Sequence, residues 1–289
     1  MKILVLGSKG QLGRSLNDQF SNTDYEVFYA SREQINVANF EETKASILQI
    51  APGVIINATA YTAVDKAEQY KEQANFINHL AVANLANICK ENNCWLIHVS
   101  TDYVFDGNSK FPYKEEDKTN PQSVYGQSKL NGELAIQSSG CKHIIIRTAW
   151  IFSEYGDNFL KTMLKLGASK NEVNIVDDQI GCPTYAQDLA YCIVKIIPNL
   201  FFKETIQGIY HYCGNTSCSW YDFATIIYNE AKLLGYKTPE LVIPINTSKY
   251  PTPAHRPSFS VLDCSKIKFY FDISCSDWKL GIKRILSLD

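Results

Sequence analysis

A short apolar run, Lys2-Ile3-Leu4-Val5-Leu6, passes without a spacer into Gly7-Ser8-Lys9-Gly10-Gln11-Leu12-Gly13. Helix-like spacing follows over Leu12–Phe20. A strand that turns this sharply into a helix favours a residue free of Cβ clashes at the bend. The spacing G-x-x-G-x-x-G brings backbone N–H groups to a helix N-terminus, where the dipole favours an anion. A third glycine lets helix and strand pack closely. This turn predicts a site for the pyrophosphate of a dinucleotide, with Gly7, Gly10, Gln11, Leu12 and Gly13 against it. A glycine turn without a ligand is the plainer alternative.

The rest of the first half repeats that rhythm. Strand-like runs at Glu26–Ala30, Val54–Asn57, Trp95–Ser100 and His143–Arg147 alternate with helix-like runs at Glu41–Ile50, Ala67–Asn92 and Ser123–Ser138. Short buried strands separated by longer helices imply βαβ units, a parallel sheet and right-handed crossovers. The expected class is α/β, a Rossmann-type doubly wound sheet with a smaller, discontinuous C-terminal substrate domain. After Trp150 the rhythm changes. Asn158–Gly167, Thr184–Ile197 and Tyr221–Leu234 read as helices and Gly208–Cys213 as one more strand. Leu241–Ser260, with four prolines, reads as loop. The expected division gives 1–152 plus about 183–213 to the dinucleotide-binding part. About 153–182 and 214–289 go to the substrate-binding part.

Composition removes other classes. The net charge of -2 gives no global basic field for nucleic acid or an anionic membrane. No stretch of about 18 apolar residues spans a bilayer, and the run ending at Leu6 is too short for a secretory signal. The nine cysteines are odd in number and form no C-x-x-C pair, which argues against a disulfide framework or a zinc site. Reduced thiols in a cytoplasm fit better.

Strand two ends in Tyr29-Ala30-Ser31-Arg32, without the acid that commonly binds the ribose of NAD, although Glu33 is close. Arg32 is positioned to meet a 2′-phosphate, so NADPH is expected ahead of NADH. A solvated loop arginine is the alternative.

Tyr125-Gly126-Gln127-Ser128-Lys129 places a phenol and an ammonium on one helical face. Free tyrosine, with a pKa of about 10, is too weak an acid for efficient proton transfer at neutral pH. A nearby positive charge favours tyrosinate. Tyr191/Lys195 and Tyr228/Lys232 share the spacing but sit in apolar helical patterns, and are read as core or surface. Tyr125 is favoured because a strand ends at Ser100-Thr101, where a hydroxyl reaches the C-terminal sheet edge at which ligands bind.

Gly7/Gly10/Gly13, Thr101 and Tyr125/Lys129 resemble the extended short-chain dehydrogenase/reductase superfamily. The segments 57–68, 100–107, 147–150 and 178–184, with Arg256 and Pro257, narrow the resemblance to the dTDP-4-dehydrorhamnose reductases. That resemblance, from Ile3 to about Asp263, implies reduction of the C4 ketone of dTDP-4-dehydro-L-rhamnose by NAD(P)H, a step toward cell-surface polysaccharide. By it, Tyr125 protonates the developing alkoxide, Lys129 lowers the Tyr pKa and holds the ribose, and Thr101 bonds the carbonyl oxygen. Asp102 and Trp150 match sugar-contacting positions. A helix cap and a core aromatic are their structural alternatives. Ala60, Tyr61 and Thr62 match the cofactor-contacting turn after strand three. Asn36 and Val37 fall near the adenine, and Arg256 near the diphosphate. Asn36 replaces an acid found in related enzymes. Ser15 and Gln187 replace glutamates through which some relatives bind magnesium across a dimer, so no magnesium is expected and a monomer or weak homodimer is left.

Three other readings share the fold. A sugar-nucleotide dehydratase needs a second acid after Asp102, where Tyr103 stands. An epimerase of the superfamily is another. A non-catalytic NADP-binding regulator resembling the beta subunit of methionine adenosyltransferase is the third.

Overall fold

The structure, a computed structural model, describes residues 1–202 and 206–288. Positions 203–205, inside the expected stretch 183–213, and 289, at the end of 214–289, lie outside the described residues. The central sheet contains β1 (Lys2–Leu6), β2 (Glu26–Ala30), β3 (Val54–Asn57), β4 (Trp95–Thr101), β5 (His143–Thr148) and the strand Gly208–His211. Its order is Gly208–His211, β5, β4, β3, β1, β2, and every neighbouring pair is parallel.

The doubly wound arrangement follows from side chains buried on both faces. Ile3, Val5, Val54, Ile56, Ile97 and Ile144 point into one core, shared with Leu12 and Leu16 of helix Gln11–Phe20 and Leu189 and Ile193 of helix Ala186–Ile196. Leu4, Leu6, Ile55, Leu96 and Ile145 point into the other, under helices Ala81–Glu91 and Val124–Ser139. Alternate residues of each strand thus serve opposite layers, which is why the strands read as continuous apolar runs.

A third core, around Phe152, Leu160, Phe223, Ile227, Trp278 and Ile282, holds the helices Phe159–Ser169, Trp220–Leu233 and Trp278–Leu286 together. It stands beside the C-terminal edge of the sheet through Trp150 and the pairing of Ile151–Phe152 with Thr184–Tyr185.

Two expectations need correction. The run Ala67–Asn92 is not one helix. Val64–Ala67 stops short of Lys71–Asn75, and a π-helical turn, Phe76–Leu80, precedes Ala81–Glu91. Apolar spacing carries no signal for the extra residue of a π turn, which is commonly found at functional sites. The proline-rich stretch 241–260 is not all loop, because Leu241–Ile245 pairs in parallel with Glu172–Val176, Pro244 facing Ile175 in the register. Leu241 N and Ile245 O both bond across the pair, which turns the nitrogen of Pro244 to the outer edge, where a missing N–H removes no ladder bond.

Candidate active site

The glycine turn is built as the sequence requires. Gly7 has φ +84°, and a Cβ there would lie 2.9 Å from Ala58 O. The helix Gln11–Phe20 starts at Gly10 with no side-chain cap and no acid in its first turn. Its leading N–H groups are therefore left for an anion. A groove of about 340 Å³ runs from Gly7 and Gly10 past Ser31, Arg32, Asn36 and Val37 to Ala60 and Tyr61. Gly10 and Ala58–Ala60 also line a second cavity of about 640 Å³, so the two join beside the turn. The second cavity reaches Thr101, Asp102, Tyr125, Lys129, Trp150, Trp220 and Arg256.

At the Arg32 end of the groove, Glu33 is occupied. It accepts from Ser31 Oγ at 2.5 Å and pairs with Lys9 at 3.0 Å, and these hold its carboxyl at about 2. Arg32 is exposed, lines the groove and has no ion-pair partner among the described residues. Asn78, in the π turn, clamps the loop after β3. Its Oδ1 accepts from Tyr61 N at 2.8 Å, and its Nδ2 donates to Tyr61 O at 3.1 Å and to Ser128 Oγ at 3.0 Å.

At the far end, Ser123 caps the helix Val124–Ser139 by accepting from Gly126 N. Glu68 accepts from Val124 N at 2.8 Å, and together these fix where Tyr125 leaves the helix. Burial raises the Tyr125 hydroxyl above its ordinary value, with the neighbouring Thr101 hydroxyl opposing. Asp102 is buried, its Oδ1 accepting from Thr101 Oγ1 at 3.0 Å while Oδ2 has no hydrogen-bond partner among the described residues. Burial pushes this carboxyl up to about 6. Lys129 is fully buried, donates to Val99 O at 2.7 Å and lies 3.2 Å from His98 Nε2. Burial lowers it to about 8.

A family model described as the RmlD substrate binding domain matches residues 1–288. The chain belongs to this family. It is 43% identical to the dTDP-4-dehydrorhamnose reductase of Aggregatibacter actinomycetemcomitans, with 98% of each chain covered. It is 38% identical to that of Escherichia coli K12, covering 99% of this chain and 97% of the relative. A solved dTDP-4-dehydrorhamnose reductase from Clostridium acetobutylicum superposes with a TM-score of 0.93 at 37% identity over 100% and 99% of the two chains. One from Bacillus anthracis, in complex with NADP, gives 0.93 at 31% identity with the same coverage.

Within the RmlD family's fold, this chain places most of the residues singled out from sequence along the two joined cavities. Gly7, Gly10, Arg32, Asn36, Val37, Ala60 and Tyr61 line the first, and Gln11, Leu12, Thr62, Thr101, Asp102, Tyr125, Lys129, Trp150 and Arg256 the second. Gly13 lines neither. A Cβ there would lie 2.3 Å from Gly7 O, so its part is the close packing of helix against turn. Arg256 stands at the cavity but is already paired with Asp65 at 2.8 Å and bonded to Tyr103 Oη at 3.4 Å. No hydrogen bond joins Lys129 to Tyr125, and the lysine is not among the groups acting on that phenol, because its Nζ is turned to the carbonyl of β4.

Of the two Tyr–Lys look-alikes, Tyr191 is exposed under Lys195 at 5.4 Å, and Tyr228 is buried with its hydroxyl on Met163 O at 3.0 Å. Sequence reasoning missed Trp220. Its ring stacks on Trp150 at 3.5 Å and 8°, and its Nε1 donates to Gln179 Oε1 at 3.2 Å. Trp150 itself has φ +48°, and Gly181 is required beside it because a Cβ there would lie 2.6 Å from the indole. The signal for Trp220 was its place at the first position of a helix opened by the Ser219/Asp222 capping box. Ser15 donates to Gln11 O, and Gln187 donates to Asp18 and Glu154, so both are engaged with protein groups.

Proposed function

We propose that the chain reduces the C4 ketone of dTDP-4-dehydro-L-rhamnose to dTDP-L-rhamnose using NADPH. What carries the reading is one continuous space. The cavity lined by Thr101, Asp102, Tyr125 and Lys129 opens into the groove over the glycine turn. The uncapped helix start and the bend at Gly7 fit a pyrophosphate, and unpaired Arg32 fits a 2′-phosphate. The relative solved with NADP supports the same choice.

NADPH supplies the hydride when bound. Tyr125 then gives its phenolic proton to the oxygen on which charge develops, which keeps the alkoxide from accumulating. Thr101 orients that oxygen. Asp102 lines the cavity beside Thr101, with Ser260 also acting on its carboxyl, and a sugar hydroxyl donating to it would offset the cost of a buried acceptor. Trp150, backed by Trp220, supplies an apolar wall for the sugar. Tyr103 occupies the place where a dehydratase needs its second acid. Burial raises its hydroxyl to about 12, which suits a fixed hydrogen bond to Arg256 and not proton shuttling.

We read residues 1–152 with 183–213 as the dinucleotide-binding part, and 153–182 with 214–289 as the part that closes over the sugar. The third core, drawn chiefly from 160–175, 218–231 and 278–286, supports this division, while Val261, Leu262, Ile267 and Ile273 pack into the core under the sheet. No described helix is long and apolar enough to cross a membrane, and we place the reaction in the cytoplasm, where nucleotide sugars and reduced thiols coexist. The test is a coupled assay supplying dTDP-glucose, the upstream dehydratase and the 3,5-epimerase. NADPH consumption with dTDP-L-rhamnose as product is expected. No consumption, or a different sugar, would overturn the reading.

A further inference from the structure

Behind Lys129 lies a buried polar chain that the proposed reaction does not use. The register of β3 and β4 sets Asn57 beside His98, continuing the buried columns of Ile55 and Leu96. Asn57, His98 and Lys129 are all shut off from solvent. Asn57 Oδ1 accepts from Thr59 N at 3.1 Å and from Thr59 Oγ1 at 2.6 Å. The backbone N–H is an obligate donor, so it fixes the amide, and Nδ2 must face His98 Nδ1 at 3.1 Å. An amide N–H pointing at Nδ1 leaves that nitrogen the acceptor of a neutral ring. The ring proton is then on Nε2, aimed at Lys129 Nζ, 3.2 Å away. An ammonium there would oppose donor to donor, whereas an amine lone pair accepts the bond.

We propose that Asn57 locks His98 as the Nε2–H tautomer and that His98 thereby holds Lys129 as a neutral amine in the cofactor-free protein. His98 is a positioning residue in this scheme, acting through the lysine. The surroundings agree. Glu133, on the same helix, is bound by both Nε and Nη2 of Arg147 from β5, and so is committed elsewhere. Tyr125, on the same helix, lines the same cavity as the lysine, and of the carboxyls there Asp102 is bonded to Thr101 while Asp157 pairs with Lys165. Lys129 therefore has no ion-pair partner among the described residues; burial lowers it, with the Glu133 charge opposing, and burial lowers His98, with the Lys129 charge adding to the effect. To become the charged group that binds a ribose hydroxyl and supports Tyr125, the lysine must leave His98 and take a proton from solvent. Resting on the NADPH reading, the scheme links cofactor binding to proton uptake.

Two measurements test it. In the cofactor-free protein, imidazole 15N shifts should give His98 as the neutral Nε2–H tautomer, with or without a functional cofactor site. A charged ring or the Nδ1–H tautomer would overturn the proposal. Calorimetry of NADPH binding at about pH 8.5, in buffers of differing ionisation enthalpy, should show uptake of well over half a proton per site, since an ordinary lysine is still charged there. Asn57→Asp should abolish the uptake, because a carboxylate at Nδ1 draws the ring proton there and frees Nε2 to accept from an ammonium. NADPH binding without uptake, or equal uptake in both proteins, would sink the proposal while leaving the dinucleotide reading intact.

Discussion

Tyr125 and Asp102 show how burial sets opposite tasks for neighbouring acids. The Tyr125 hydroxyl is held above its ordinary value and so stays protonated until charge arrives to take the proton. Tyr125→Phe should lower turnover about 10²- to 10⁴-fold with NADPH affinity nearly unchanged, as measured by steady-state rates and fluorescence titration. Asp102 sits at about 6 in the fold, against an ordinary value of 3.8. Its folded form holds the proton more tightly than the unfolded chain does. The stability this contributes is full below about pH 4 and is lost as pH rises through 6, a change of about 2–3 kcal/mol. Asp102→Asn should therefore be the more stable protein in urea at pH 8, lose that advantage near pH 4, and turn over the sugar poorly at both. A variant with wild-type pH dependence would show that Oδ2 is satisfied in solution.

The elements explain why some of this was readable from sequence. β1, the glycine turn and the helix Gln11–Phe20 follow one another without a break, so steric demands at Gly7 and Gly13 are local and visible. Ser123 as a cap fixed the start of the helix that carries Tyr125 for the same reason. For Trp220 only its place at a capped helix start was readable; its stacking on Trp150 was not, because the two meet only through folding of distant segments. Nor was the direction taken by Lys129, which depends on a β4 carbonyl and on His98. The π turn at Phe76–Leu80 is the clearest case. It rotates Asn78 to serve two elements at once, the loop carrying Tyr61 and the helix carrying Ser128. Asn78→Ala leaves Tyr61 N–H without its acceptor and should cost about 1–3 kcal/mol in denaturant unfolding. Asn78→Ala should also weaken NADPH binding more than Ser128→Ala, which removes only one of the three bonds; equal effects would confine Asn78 to a structural part.

For the whole molecule, the joined cavities draw on the glycine turn, the loop after β3, the ends of β4 and β5 and the Trp220 helix. A ligand spanning them ties the third core to the sheet. NADPH at about 100 times its dissociation constant should add about 2.7 kcal/mol to unfolding. The nucleotide sugar should protect amides of 220–233 from exchange, where NADPH alone protects chiefly the turn at 7–13. Protection confined to the sheet with both ligands bound would remove the third core from the substrate site. The paired strands Glu172–Val176 and Leu241–Ile245 add a restraint of another kind. They form a ribbon of only two strands, with one rim open to the surroundings. Pro244 takes a hydrogen-bond donor out of the middle of that rim, so an extended segment from another molecule finds a gap where it would seek a partner. Replacing this proline with a β-branched residue would complete the rim, and the penalty would fall on solubility at high concentration rather than on the chemistry of the cavity.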